Sequence, residues 1–353
     1  LRTPSVSLEE RWKRQRVVIS ASALKGGLGS YSKRLFSLGL FDSLLLFKNN
    51  ADVPEEGYGG VISPPFRSRL AYAAHVYYSF YFPTRWSSAV KGMALVHYAS
   101  PDWFHLAKYN ESSYGTVHDI FPITWPSSYA PHYRRFFMRE MAAAGSLRKV
   151  VAISDYVKEQ LLERFPDLRV VRIHQWTEPD FAPRDKGLAR KRLGLPESKK
   201  LVLSVGTEEP RKNVEILPKV LEQLGEGFAL VRIGGFEKLG SVKGAIFLRD
   251  VPFDLMPLYY NAADVLVAPS LDEGFDAPLI EAINSGTAVV ASDIPVHREV
   301  LRGMGRLVDP RDVRGWVEAI RLSVDETVNW SGLREYYGEE RARREYESLY
   351  SDD

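Results

Sequence analysis

In the second half of the chain, short apolar runs alternate with segments whose apolar positions recur at helical spacing. Runs at 200–205, 228–233, 245–248, 264–269, 288–291 and 306–308 predict strands. Helical spacing at 215–224, 255–263, 277–284 and 313–324 predicts the helices between them. Apolar strands flanked by Gly and Pro and separated by helices indicate a parallel sheet covered on both faces. The first half repeats the theme less regularly. Strands are predicted at 16–20, 43–47, 94–97, 114–117, 149–153 and 167–173, with helices at 30–38, 129–144 and 156–164. Thr177-Glu-Pro-Asp-Phe-Ala-Pro183 has the proline and acid content of a linker. The expected fold class is therefore α/β, with two Rossmann-like domains, 1–178 and 179–331. Their sheets would face across a cleft at the carboxyl ends of the strands.

At 353 residues the chain exceeds one comfortable core, which agrees with two domains. No apolar run approaches the ~18 residues a membrane helix needs. No secretory signal is visible at Leu1, and with no cysteine there are neither disulfides nor thiolate metal sites. The expectation is a cytoplasmic protein. The net charge of +2 hides an asymmetry. Residues 1–180 hold 23 Lys and Arg against 16 Asp and Glu, whereas 181–353 hold 24 against 29. A basic first half suits an anionic acceptor, or peripheral contact with the inner face of a membrane.

The richest segment is Glu273-Gly-Phe-Asp-Ala-Pro-Leu-Ile-Glu281, between a predicted strand and a predicted helix. Pro278 fits a first helical turn, where a missing N–H costs nothing. Glu273 would sit on the loop and Glu281 about one turn into the helix. The backbone amides of Gly274, Phe275 and Asp276 would lie at a helix start, which favours phosphate. Carboxylates beside them can hold sugar hydroxyls. A diphosphate flanked by two sugars is a nucleotide-sugar donor.

Two further motifs follow strands and suit anions. Gly206-Thr-Glu-Glu-Pro-Arg211-Lys212-Asn213 ends the first strand of the second half. Two cations there can meet the charge that grows on a departing diphosphate. Lys25-Gly26-Gly27-Leu28-Gly29-Ser30 follows the opening strand, where glycine permits tight turning and close backbone approach. A dinucleotide fingerprint is not present. The G-x-G-x-x-G spacing is missing, and Asp42 precedes the second strand rather than following it.

Taken together, Pro269-Ser270, the E-x7-E run, and Ser285-Gly-Thr-Ala-Val-Val-Ala-Ser292 resemble the signature of retaining glycosyltransferases of family 4, which have the GT-B architecture. Gly27 and Gly29 match that family's first-domain loop against the donor diphosphate, and Arg211 and Lys212 match its diphosphate clamp. Thr116-Val-His118-Asp119 is similar to the motif whose histidine reaches the donor sugar, with His97 a second candidate on the acceptor side. By the same resemblance Val251 lies where the base is read, Glu281 binds the ribose and Glu273 binds the transferred sugar. The tail, 332–353, would cross back to the first domain.

The resemblance implies a hexosyltransferase that moves sugar from a UDP-, GDP- or ADP-sugar to a hydroxyl of a glycan or lipid-linked acceptor, with no further cofactor. No Asp-x-Asp pair follows a strand in the second half, so no essential metal is expected, and no nucleic-acid partner. The same fold also serves epimerases, phosphorylases and catalytically silent nucleotide-sugar binders.

Three places depart from the family. Asp276-Ala277 replaces the commoner Gly-Leu, and His174-Gln175-Trp176 replaces an Asn-Gly pair. Residues 49–93, which include the aromatic cluster 76–86, match nothing familiar. Such a cluster fits a core helix, a sugar-stacking surface or a lipid interface.

Overall fold

The computed structural model describes residues 12–20, 26–46, 60–61, 80–82 and 84–351. It divides into two compact units, Leu1–Ile173 with Glu345–Asp353, and His174–Arg344. The division falls five residues before the expected boundary, and only Glu345–Asp353 of the tail is grouped with the first unit.

In the first unit, β1 (Arg16–Ser20), β2 (Ser43–Leu46), β3 (Gly60–Val61), β4 (Leu95–Tyr98), β5 (Ser113–Val117), β6 (Lys149–Ala152) and β7 (Val170–Arg172) form one sheet. Its order is β3-β2-β1-β4-β5-β6-β7, and every pairing is parallel. In the second unit, β8 (Lys200–Gly206), β9 (Phe228–Gly234), β10 (Ala245–Leu248), β11 (Val265–Ala268), β12 (Ala288–Ser292) and β13 (Arg306–Val308) pair in the order β10-β9-β8-β11-β12-β13, again all parallel.

Both sheets reverse their winding once. Strand order runs outward from β8 to β10, then returns so that β11 pairs with β8, Val265 opposite Val202 and Leu266 opposite Leu203. The loops after β8 and β11 therefore leave the sheet in opposite directions and open a crevice between them, the usual ligand position in such sheets. The equivalent place in the first sheet lies between β1 and β4.

Apolar burial on both faces explains the strand composition. Val265, Leu266, Val267, Val289, Val290 and Ala291 are all buried. Behind them, Val220, Leu221 and Leu224 of the helix Leu217–Leu224 share one cluster with Trp316 and Ile320 of the helix Val313–Ser323. The helix Lys186–Leu193, which the sequence pattern did not predict, is tied down by Asp264. That carboxylate pairs with Arg190 and Lys186 and accepts from the Leu201 amide.

The tail's end completes the first unit through polar contacts among buried rings. Tyr346 hydrogen-bonds Tyr31, which also bonds Thr116 Oγ1 at 2.8 Å. Tyr350 bonds His97 Nδ1 at 2.8 Å, and His97 Nε2 bonds Thr116 Oγ1 at 2.8 Å. His97 is thus fully buried with both ring nitrogens in use, which removes it as an acceptor-side candidate. Burial, then the nearby His118, pushes its pKa down to about 3.

Two other expectations change. The glycine turn is the first turn of the helix Gly26–Ser37, because Tyr31, Ser32 and Leu35 already face inward at helical spacing; Lys25 lies outside the described residues. The aromatic cluster is described only at 80–82 and 84–86. There Trp86 is buried and Phe80 stacks on His105, while Tyr81 and Phe82 are more than half exposed.

A buried neutral histidine makes stability depend on pH. His97 binds a proton near pH 6.5 when unfolded but only near pH 3 when folded. Acidification therefore destabilises the fold from about pH 6.5 downward, by up to about 1.4 kcal/mol per pH unit for this one group. In urea titrations between pH 7 and 5, His97→Gln should show a slope shallower by about 0.7 proton on average; an unchanged slope contradicts the assignment.

Candidate active site

The loop after β8 carries the first half of the site. Gly206 has φ of 138°, and its carbonyl accepts from Arg232 Nη2 at 2.6 Å and from the Gly235 amide at 3.1 Å. A Cβ on Gly234 would stand 2.1 Å from that oxygen, so this close approach of two strand ends requires glycine. Arg232 also donates to the Thr207 carbonyl and to Ser204 Oγ. Burial lowers its pKa to about 10, against the pull of Glu208. An arginine inside a β-strand thus fastens the loop that leads to Arg211 and Lys212.

Asn213, at φ 49°, fastens the other end of this loop. Its side-chain amide donates to the carbonyls of Pro269 and Pro310, which follow β11 and β13. The Leu271 amide donates to the Arg211 carbonyl at 2.6 Å. The loops after β8 and β11 are consequently joined through their backbones as well as their side chains.

Between them lies a cluster of charges. Arg211 Nη1 meets Glu273 Oε2 at 2.8 Å, and its Nε meets Glu209 Oε2 at 2.8 Å. Lys212 Nζ lies 2.5 Å from Glu273 Oε1 and 3.3 Å from Asp276 Oδ1. Ser270 Oγ donates to Glu273 Oε1 at 2.7 Å. Burial opposes the charge on Lys212, but the Asp276 and Glu273 carboxylates outweigh it and raise its pKa above the ordinary lysine value. Burial likewise opposes ionisation of Asp276, and Lys212 and His297 more than reverse this, holding the carboxyl well below its usual range.

Asp276 has φ of 68° at the start of the helix Ala277–Ser285, a left-handed conformation that aspartate tolerates better than most side chains. Its Oδ2 lies 3.2 Å from Nε2 of His297, a buried residue on the helix Pro295–Leu301. His297 Nδ1 is 3.0 Å from the Ser292 carbonyl, which can only accept. The ring's Nδ1 therefore donates to that carbonyl, which leaves Nε2 facing the Asp276 carboxylate.

The other expected residues fall as follows. Gly274 and Phe275 are buried beside Glu273, with the Phe275 ring near His174 and Tyr337. Glu281 is buried on the helix Ala277–Ser285 and accepts from Tyr260 at 2.6 Å. Val251 follows β10 at the same carboxyl edge of the sheet. Arg211, Lys212, Glu273 and Asp276 are in direct contact; Val251 lies two strands from β8. His174 is buried against Glu299, Tyr336 and Tyr337.

In the first unit, His118 follows β5 and only partly meets solvent. Its Nε2 donates to the Ala99 carbonyl at 2.9 Å, which leaves Nδ1 as the accepting nitrogen. Burial lowers its pKa to about 4, the Ala99 hydrogen bond opposing and Arg34 assisting, so the ring is neutral at neutral pH. Asp119 accepts from the Phe121 amide and shapes the turn. Tyr31, two residues beyond Gly29, meets His118 edge-on at 4.6 Å. Gly27 is exposed, and a Cβ there would meet nothing within 4 Å.

Arg232, Asn213 and His297 were not singled out in the sequence. The only available signals were a charge inside an apolar strand for Arg232 and a position beside the cation pair for Asn213.

Residues 185–344 match the family described as Glycosyl transferases group 1. This segment is a glycosyl transferases group 1 domain. The group 1 domain covers all of the charge cluster. The O-antigen chain mannosyltransferase RfbU of Salmonella typhimurium is 29% identical over 58% of this chain and 59% of its own length. The O-antigen chain mannosyltransferase B of Escherichia coli is 28% identical over 81% of this chain and 84% of its own length. Among solved structures, Anabaena HepE in complex with UDP and glucose superposes with a TM-score of 0.76 at 15% identity, covering 96% of this chain and all of that one. The fold is that of GT-B glycosyltransferases, α/β with two Rossmann-like units.

Arg232 sets the loop of the group 1 domain, so Arg232→Ala should cost about 2–4 kcal/mol in urea unfolding. A loss below about 0.5 kcal/mol would show that the loop holds its shape without it.

Proposed function

We propose that this protein is a retaining glycosyltransferase that moves a sugar from a nucleoside-diphosphate donor to an acceptor hydroxyl without an essential metal ion. The observation that carries this is the joining of Arg211, Lys212, Glu273 and Asp276 beside a helix start at the switch point of the second sheet. Arg211 and Lys212 would take the diphosphate. Glu273, braced by Ser270, would take hydroxyls of the transferred sugar, and Glu281, braced by Tyr260, those of the ribose. His118 would accept from a sugar hydroxyl through Nδ1, the nitrogen opposite its bond to Ala99.

In this scheme the acceptor oxygen bonds to the anomeric carbon on the face from which the diphosphate departs. The acceptor's proton passes to the leaving phosphate oxygen. Charge grows on that phosphate as the bond breaks, so cations fixed beside it favour the transition state over the ground state.

Mannose is the first sugar to test, because two relatives are named mannosyltransferases. UDP-glucose is the second, since HepE is seen with UDP and glucose. A glycan or lipid-linked acceptor agrees with the O-antigen names. Peripheral contact with the inner face of a membrane is supported by the first unit's helix Pro131–Ala143, which exposes Tyr133, Arg134, Arg135 and Met138. Arg139 of the same helix lies over the Tyr81 ring, and Tyr81 and Phe82 are exposed. Aromatic and basic side chains together suit an anionic interface. Among the described residues no helix is long and apolar enough to cross a membrane.

The direct test is a thermal-shift panel of UDP, GDP, ADP and their sugars, followed by turnover of whichever donor binds. Lys212→Ala should lower kcat/KM by on the order of 10²-fold or more; an effect under about threefold would remove the clamp assignment. Glu281→Ala should weaken nucleotide binding more than it lowers kcat. Turnover should persist in excess chelator, and activity lost there and restored by Mg²⁺ or Mn²⁺ would overturn the metal-free part.

A further inference from the structure

The two cations assigned to the donor are already engaged. Arg211 binds Glu209 and Glu273, and Lys212 binds Glu273 and Asp276. Arg211 and Lys212 face the Glu209, Glu273 and Asp276 carboxylates, and His297 stands against Asp276, so the charge of both cations is already met inside the cluster. A nucleoside diphosphate adds roughly two to three negative charges, each ionised phosphate carrying at least one. Some internal carboxylate must yield its place for the clamp to work on a ligand.

Asp276 is the member placed to do so. Glu273 is braced by Ser270 and by both cations, a geometry that suits a fixed sugar-binding carboxylate. Asp276 stands at the start of the helix Ala277–Ser285, where an anion is favoured, yet makes no side-chain capping bond to that helix. What its carboxylate binds is the lysine, through Oδ1, and the buried imidazole of His297, through Oδ2. A small cavity lined by Lys212, Arg232, Ser270 and Asp276 lies beside it. The carboxylate thus occupies the place against Lys212 that a phosphate of the donor would need.

We propose that Asp276 is an internal counter-anion, a carboxylate that holds Lys212 in the ligand-free protein and that the donor's diphosphate displaces from it. This rests on the donor assignment above. Its consequence is an exchange rather than a simple addition. One carboxylate–ammonium pair breaks as a phosphate–ammonium pair forms, and the reverse exchange expels the nucleoside diphosphate after transfer. His297 stands beside the other oxygen of that carboxylate, at 3.2 Å in the ligand-free protein. The group facing Asp276 from the loop after β8 is Lys212, from the helix Pro295–Leu301 it is His297, and Glu273 shares Lys212 with it.

Competition of this kind has an unusual signature: removing the residue tightens ligand binding. Titration calorimetry of GDP, UDP and ADP against the wild-type protein, Asp276→Asn and Asp276→Gly measures it. Glycine accepts the φ of 68° without strain, and asparagine keeps the side chain's shape, so the pair separates loss of charge from loss of fold. Removing a charge this close to the phosphate should tighten the nucleotide that the wild type binds by at least about fivefold in both variants, and more at low salt. Affinity unchanged within about twofold, or weakened, in either folded variant overturns the proposal while leaving the donor assignment standing. Absence of binding to all three proteins would instead sink the donor assignment, and the exchange with it.

Discussion

Everything in the second unit is arranged around charges that have been taken out of water. An ion buried without a partner costs about 3–5 kcal/mol, so Arg211, Lys212, Glu273 and Asp276 can be packed together only if each is paired. The structure meets this demand with short contacts among the four, and His297 stands against Asp276 at 3.2 Å. Such contacts are possible only if two loops from different strands are held in fixed register. Arg232, Asn213 and the Leu271 amide supply that register, and the need for glycine at 234 follows from the same crowding. The parallel sheet's contribution is topological. Only where β8 and β11 adjoin do two successive loops diverge and leave room for the cluster.

The first unit contains an extended buried network of neutral groups. Tyr31, Thr116, His97, Tyr346 and Tyr350 satisfy one another in a chain, while the buried Glu140 carboxylate meets His105. Neutral groups pair at lower desolvation cost than ions. The same preference keeps His118 uncharged beside Ala99, which suits a hydrogen bond to a neutral sugar hydroxyl better than an ion pair would. Because Tyr346 and Tyr350 belong to the chain's last helix, the unit's interior is completed by residues distant from it in sequence.

Strands were legible where they are buried on both faces, because there only apolar residues of high β propensity serve. The predicted runs at 200–205, 228–233 and 288–291 each fall within a residue or so of β8, β9 and β12. Elements that are exposed or polar escaped notice. The helix Lys186–Leu193 is rich in charge, and Asp264, the residue that pins it, comes 71 positions after its last residue. The glycines at 27 and 29 looked like a loop because glycine is common in both loops and first turns; the inward spacing of the residues that follow decides for the helix. Glu273 and Glu281, by contrast, fell where their eight-residue spacing put them, one on the loop and one about a turn into the helix.

The sequence by itself determined the layered α/β class, the alternation of strand and helix, and the residue types gathered at strand ends, because those depend on local periodicity and on what a helix start or a tight turn will accept. Tertiary structure alone decided which of those residues touch. It turned His97 from an acceptor-side candidate into a buried strut, made Arg232 the fastener of the loop after β8, and set the Asp276 side chain, not only its backbone amide, against Lys212. The reason is that charge pairing and burial depend on distances between loops that are remote along the chain, and those distances exist only once β8 and β11 lie side by side.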